Sequence, residues 1–286
     1  MTTAAPLSAE RLIFSGTASR KGRHVFVTPS NSPLEHLHYG RIRLDAEVRR
    51  TTFETGGRET ALLAMGGECQ VTVDGTPNAL ALHDAIYIPR GRTVEVTTGS
   101  EVDLVECAVE VSGDYPLQVI RYADVVASSA LRFRAGGPAT TRDVNIVIGD
   151  NVRAGRIVAG FTRSAPGNWT SWPPHEHSAI LEELYVYYDM PAPAFGIQLV
   201  YTAPDHPEFV GVVREGDAVL MPAGFHPNVA APGHAINFVW LMAARREVED
   251  RRFGVVNLQP GFDGAGTGLE ASRPSPATGA GTGTRA

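Results

Sequence analysis

An all-β fold is what this sequence predicts, and three observations predict it. First, 30 Gly and 20 Pro in 286 residues cut the chain into short segments, and long runs with a 3.6-residue apolar period are scarce. Second, the segments between these breakers are rich in Val, Ile, Tyr, Phe and Thr, the residues that suit a pleated surface. Third, Asp84-Ala-Ile-Tyr-Ile-Pro-Arg-Gly91 and Asp217-Ala-Val-Leu-Met-Pro-Ala-Gly224 share the pattern D-A-[IV]-x-x-P-x-G. Self-similarity at such spacing points to two copies of one β-domain.

Taken in order, residues 41–52 alternate well enough for one strand, and 58–65, 69–73 and 85–88 read as three more. Asp74-Gly75 after Cys69-Gln-Val-Thr-Val73 is a hairpin signal, because both turn residues must tolerate positive φ. Segments 94–96 and 102–111 continue the series. Residues 112–125 read as an extended connector between the halves. Segments 142–148 and 156–162 open the second half, and Leu184-Tyr-Val-Tyr-Tyr188 reads as a strand within it. The expected domains are 10–125, without metal, and 126–263, metal-binding. From about Gly264 the composition turns to Gly, Ala, Ser, Thr and Pro, which cannot offset its ordering entropy, so 264–286 is expected to be a disordered tail.

Bulk properties narrow the function. A net charge of −6 argues against a nucleic-acid surface, which needs clustered Lys and Arg. No uncharged apolar run reaches the roughly 18 residues of a membrane span, and the N-terminus lacks the apolar core of a signal peptide. The cytoplasm is the default expectation. Cys69 and Cys107 lie far apart on strand-like segments and read as buried free thiols.

The chemistry concentrates in G-N-W-T-S-W-P-P-H-E-H-S-A-I-L-E-E-L-Y-V-Y-Y, residues 167–188. His175 and His177 are two apart, so on a strand both imidazoles point to one face. Glu182 and Glu183 follow, and His226 comes in Met221-Pro-Ala-Gly-Phe-His226. Three imidazoles and a carboxylate suit a divalent transition metal such as Zn, Mn, Fe or Ni. The first repeat has Thr93 where the second has His226, so only the second copy is expected to bind metal. A further pair, His36 and His38, has no third partner at the repeat position and is assigned a surface or packing role.

The order H-x-H, Glu, then P-x-G-x-H resembles the two motifs of the cupin superfamily, small jelly-roll barrels open at one end over a metal. More closely, residues 140–245 resemble the 5-deoxy-glucuronate isomerase family of myo-inositol catabolism. The carrying segments are G-N-W-T-S-W-P-P-H-E-H, L-E-E-L-Y, I-Q-L-V-Y-T and G-D-A-V-L-M-P-A-G-F-H. The related 4-deoxy-5-keto-uronate isomerases share the two-barrel layout. The resemblance implies a bicupin with two jelly-roll β-barrel domains, and an aldose–ketose isomerase acting on a deoxy sugar acid. That reaction takes 5-deoxy-glucuronate to 5-dehydro-2-deoxy-gluconate.

Carried onto this chain, the metal ligands are His175, His177, Glu183 and His226. Usual cupin spacing favours Glu182 and strand phase favours Glu183, since Glu183 shares a face with Tyr185 and Tyr187. The spare Glu182 is assigned to solvent or to proton transfer. Arg142 is the candidate clamp for the substrate carboxylate, and Tyr185, Tyr187 and Gln198 are candidates for sugar hydroxyls. Trp169 and Trp172 are expected to wall the pocket. The family's H-K-H is H-E-H here, with Glu176 reversing a charge. Expected partners are a small-molecule sugar acid and further copies of the chain in a homo-oligomer, with neither nucleic acid nor membrane. A 4-deoxy-5-keto-uronate isomerase, an Fe(II) dioxygenase and a non-catalytic sugar-binding cupin are the other readings of the same ligand set.

Overall fold

The computed structural model describes residues 9–262. Each half of the chain builds a large sheet facing a four-stranded one. The first large sheet has the strand order Gln118–Ile120, Ala85–Ile88, Arg58–Gly67, Val102–Glu110, His38–Leu44, Gly22–Val27. The second runs Ile13–Phe14, Ala218–Met221, Leu181–Tyr187, Asn237–Ala244, Ile157–Ser164, Arg142–Ile148, Arg132–Ala135. The facing sheets are Arg50–Glu54, Thr93–Thr97, Cys69–Val73, Thr76–Leu80, and Trp169–Thr170, Asn228–Ala230, Gly196–Val200, Phe209–Val213. Set side by side, the six strands of the first large sheet match the first six of the second, which adds Arg132–Ala135 at its edge, and the four-stranded sheets match throughout, so the repeat seen in the sequence is a repeat of topology.

The Asp that opens each repeat has the same local task. Asp84 and Asp217 accept the backbone N–H three residues earlier, from Ala81 at 3.2 Å and Arg214 at 2.9 Å. Their other oxygens take an incoming segment, Tyr122 N at 2.8 Å and Gly16 N at 3.1 Å. The incoming strand on Ala218–Met221 is Ile13–Phe14. Residues 13 and 14 therefore form the edge of the second sheet, and the expected division at 10–125 does not hold for them.

Several expected strands stand as read, among them Cys69–Val73 and Ala85–Ile88, and Asp74 and Gly75 turn the hairpin at φ of 48° and 83°. Two expectations change. Residues 41–52 form parts of two strands, because the Asp45 carboxylate accepts the Glu47 and Val48 N–H groups and ends the first in a turn. The connector 112–125 holds strand Gln118–Ile120 and the start of helix Tyr122–Ala127. The expected tail 264–286 lies outside the described residues. Among the described residues no helix is long and apolar enough to cross a membrane, and Cys69 and Cys107 are free and buried.

The large sheets pack against each other, so their central strands are buried on both faces. On Arg58–Gly67, Leu62 and Ala64 fill the first barrel, whereas Ala61 and Leu63 join the core shared with the second. On Leu181–Tyr187 all seven residues are buried. Period two assigns Leu181, Glu183 and Tyr185 to the cavity of the second barrel, and Glu182, Leu184 and Val186 to the first barrel.

That inter-barrel face carries two buried carboxylates in corresponding positions. Glu59 accepts the backbone N–H groups of Gly155, Arg156 and Ile157 at 2.7, 2.7 and 2.8 Å. Glu182 accepts those of Glu35, His36 and Leu37 at 2.7, 2.8 and 2.6 Å. Each barrel thus inserts one carboxylate into a loop of the other.

Gly160 stands opposite Trp240 in the register. A Cβ there would collide with the indole and with the Asn145 carbonyl. Gly160→Ala is expected to cost about 2 kcal/mol or more through overpacking. Chemical denaturation should read that loss, and a shift in tryptophan emission should report the displaced ring.

Candidate metal centre

His175 and His177 sit on and just after the short strand His175–Glu176, which pairs with Asn257–Leu258. Glu183 lies on Leu181–Tyr187, in register with Met221, and His226 follows the turn at Gly224. The ring centroids lie 4.9 Å apart for His175–His226, 5.2 Å for His177–His226 and 6.2 Å for His175–His177. One ligand atom from each imidazole can be chosen so that all three lie within 4.8 Å of one another. Glu183 Oε2 is 3.0 Å from His177 Nε2 and 3.1 Å from His226 Nε2. The structure therefore brings together the four residues His175, His177, Glu183 and His226.

Backbone carbonyls set the tautomer of each ring. Nδ1 of His175 faces Pro173 O at 2.9 Å, that of His177 faces Leu181 O at 3.2 Å, and that of His226 faces Gly224 O at 3.0 Å. A carbonyl only accepts, so each Nδ1 carries the proton and each neutral Nε2 presents a lone pair. Carbonyls that orient metal-ligating histidines act in this way.

The result is a group of acceptors facing acceptors. His226 Nε2 and Glu183 Oε1 are buried without a hydrogen-bond partner. The 3.1 Å approach of His226 Nε2 to Glu183 Oε2 thus joins two acceptors when the imidazole is neutral. Only a cation or an added proton relieves that repulsion. Burial and the neighbouring imidazoles pull His175 down to about 3, leaving its Nε2 free. Burial also pushes His177 down, but the Glu183 hydrogen bond and charge outweigh it and raise its pKa. Glu183 is held at about 2, against its own burial, by His177 and His226. The donor set fits a divalent transition metal: neutral imidazole nitrogens plus one ionised carboxylate.

Above the cluster lies a cavity of about 450 Å³. Its polar wall includes Arg142, Ser171, Thr162 and Tyr185, and its apolar wall includes Phe133, Ile146, Trp240 and Phe253. Arg142 is buried and donates to Thr140 O at 2.9 Å and Trp172 O at 2.7 Å. Among the described residues no carboxylate pairs with it. Burial brings its pKa down to about 10, so it stays charged at neutral pH. The Tyr185 hydroxyl lies 2.7 Å from Ser171 Oγ, and burial keeps the phenol protonated by raising its pKa. Ser171 and Thr162 are cavity groups that no sequence signal singled out, although Ser171 lies inside the W-T-S-W-P-P segment.

Three expectations are corrected. Glu182 faces away from the cavity, and its carboxylate is committed to three backbone N–H groups of the first barrel, so it is neither a ligand nor a proton carrier there. Tyr187 and Gln198 do not line the cavity. Tyr187 Oη donates to Gln198 Oε1 at 2.6 Å, and Gln198 Nε2 donates to His226 O at 2.9 Å. Both lie deeper in the barrel and brace the His226 loop. Of the two tryptophans, Trp172 lines the cavity and Trp169 packs against it at 5.2 Å. Glu176 turns outward to Ser178 and Asn257, so its charge reversal does not face the substrate space.

Two outcomes are expected here. His226→Ala should weaken Mn(II) or Zn(II) binding at least about tenfold while leaving the β-sheet circular dichroism unchanged. A cation must also expel the proton that Glu183 favours on His177. Binding measured by titration should therefore weaken about tenfold per pH unit once pH falls below the raised His177 pKa.

Comparison with known proteins bears on the family and the fold. The profile of the KduI/IolB family matches residues 12–254. The 5-deoxy-glucuronate isomerase of Geobacillus kaustophilus is 25% identical over 249 residues, 81% of this chain and 88% of that protein. An IolB-like protein from Salmonella typhimurium LT2 superposes with a TM-score of 0.75 at 21% identity, covering 87% of this chain and 96% of that one. Bacillus subtilis oxalate decarboxylase, described with Mn(II) centres, superposes with a TM-score of 0.58 at 12% identity, covering 83% and 78%. The two likenesses of structure establish the bicupin fold. With a cluster of this form in a barrel of this form, and a profile match over most of its length, the chain belongs to the KduI/IolB family.

Proposed function

We propose that the protein is a metal-dependent aldose–ketose isomerase of a deoxy sugar acid, converting 5-deoxy-glucuronate to 5-dehydro-2-deoxy-gluconate in inositol breakdown. The observation that carries this reading is a cation-shaped cluster of acceptors beside a buried Arg142 that has no carboxylate partner among the described residues. A substrate with a carbonyl at one end and a carboxylate at the other meets both features. The curated relatives named 5-deoxy-glucuronate isomerase support the choice of substrate.

His175, His177, Glu183 and His226 would hold the metal. The chemistry a divalent cation held there would supply is Lewis acidity toward a carbonyl and charge stabilisation as the α-carbon loses its proton. Arg142 presents a planar fork to the distal carboxylate and fixes which end of the sugar reaches the cluster. The hydroxyls of Tyr185 and Ser171 can exchange hydrogen bonds with sugar hydroxyls. Trp240, Phe253 and Phe133 exclude water and offer apolar contact to the deoxygenated carbon.

The test is incubation of Mn(II)- or Zn(II)-loaded protein with 5-deoxy-glucuronate in D2O, followed by NMR. The ketone product is expected, with deuterium entering the new CH2OH carbon; loaded protein that forms no ketone overturns the reading. Arg142→Ala removes a charge-assisted contact of about 2 kcal/mol. It should raise KM for the acid by about 30-fold and change kcat less, which steady-state kinetics will read.

A further inference from the structure

The two inter-barrel carboxylates are matched in position and in their three backbone N–H bonds, but Glu59 also accepts the Tyr87 hydroxyl at 2.5 Å, and the two differ in what lies beside them. In the register of the large sheets, Thr60 pairs with Ile88 and Glu183 pairs with Met221. Ile88 and Met221 are equivalent in the D-A-[IV]-x-x-P-x-G repeat, so Glu59 corresponds to Glu182 and Thr60 to Glu183. Glu59 therefore anchors a strand with no member of the cluster, whereas Glu182 anchors the strand that carries Glu183.

The loop that receives Glu182 reaches the cluster by a second route. The Glu35 carboxylate pairs with Arg245 Nη1 at 3.0 Å. Arg245 Nε donates to Ser178 O at 2.6 Å and Nη2 donates to Pro222 O at 3.3 Å. Ser178 follows His177, and Pro222 begins the turn that ends at His226. Ser178 Oγ in turn accepts the Gly224 N–H at 3.1 Å, tying the two histidine loops together. One loop of the first barrel, Glu35 to Leu37, thus grips the Glu183 strand through Glu182 and both histidine loops through Arg245.

We propose that Glu182 and Arg245 are positioning residues through which the first barrel, which lacks the cluster, holds the cation site of the second in binding geometry. Neither touches the cation or the substrate space. Glu182 sets the depth and phase of Leu181–Tyr187, and hence where Glu183 stands. Arg245 sets the separation of the loops bearing His177 and His226. The proposal rests on reading His175, His177, Glu183 and His226 as a cation site.

The test compares E182Q with E59Q in the full chain, using Mn(II) alone and Zn(II) alone as probes, with Mn(II) followed by electron paramagnetic resonance. Both variants lose a carboxylate that accepts three backbone N–H groups, and E59Q also disturbs the Tyr87 hydroxyl bond, so E59Q should lower the melting temperature of the metal-free protein at least as much as E182Q. Only E182Q should weaken metal binding, by tenfold or more, with E59Q within twofold of wild type. Arg245→Lys keeps the charge but cannot span two carbonyls, and should weaken binding about fivefold with little change in melting temperature. Should E182Q not fold, the affinity of Arg245→Lys decides between the outcomes. Wild-type affinity in Arg245→Lys and in folded E182Q, or equal weakening in E59Q and E182Q, overturns the positioning role while leaving the cation site standing. A wild-type protein that binds neither metal overturns the site itself, and the proposal with it.

Discussion

Two carboxylates, each closing on three backbone N–H groups of the opposite barrel, hold the halves of this molecule in registry, and Glu183 of the imidazole cluster stands on the strand that one of them, Glu182, anchors. Glu59 and Glu182 are both fully buried, and neither has an ion-pair partner among the described residues. A buried charge without such bonds costs several kcal/mol. Three short N–H contacts per carboxylate offset that cost, and they also satisfy donors that the shared core would otherwise strand. Apolar packing alone would let two sheets slide, because the hydrophobic effect is non-directional. Hydrogen bonds to fixed donors do not slide, so the registry between barrels is set at these two points.

The halves share one plan and differ in what they carry on it. In the first barrel the position of Glu183 is Thr60 and the position of His226 is Thr93. The first barrel's interior closes over apolar side chains such as Ile42, Leu62, Val71 and Val96. In the second, the corresponding volume opens into the cavity over the imidazoles.

The cluster itself is a balance of opposed acceptors. Three carbonyls place the ring protons on the outward nitrogens, and Glu183 adds a charge where lone pairs already converge. Such an arrangement is unfavourable in an apolar cavity and becomes favourable with a cation at its centre. Arg142 is the complementary case, a buried positive charge whose hydrogen-bond partners among the described residues are carbonyls. The cavity thus sets a cluster of converging acceptors apart from a buried guanidinium.

Local pattern in the amino-acid chain is enough to set the class, the repeat and the face on which most site residues lie. Gly and Pro spacing limits every element to a few residues, which excludes long helices. Period two along Leu181–Tyr187 puts Glu183 and Tyr185 together, and Glu182 on the other side. Period two says nothing of what packs against that other side. The partner of Glu182 lies 145 to 147 residues earlier, in a loop whose backbone donors leave no mark in the sequence. For the same reason Tyr187 and Gln198, inward by alternation, read as pocket residues. Depth along the barrel axis separates them from Tyr185, and depth is set by how the two sheets close on each other. Those assignments belong to the folded molecule because they depend on contacts between segments far apart in the chain, and periodicity encodes only which way a side chain points.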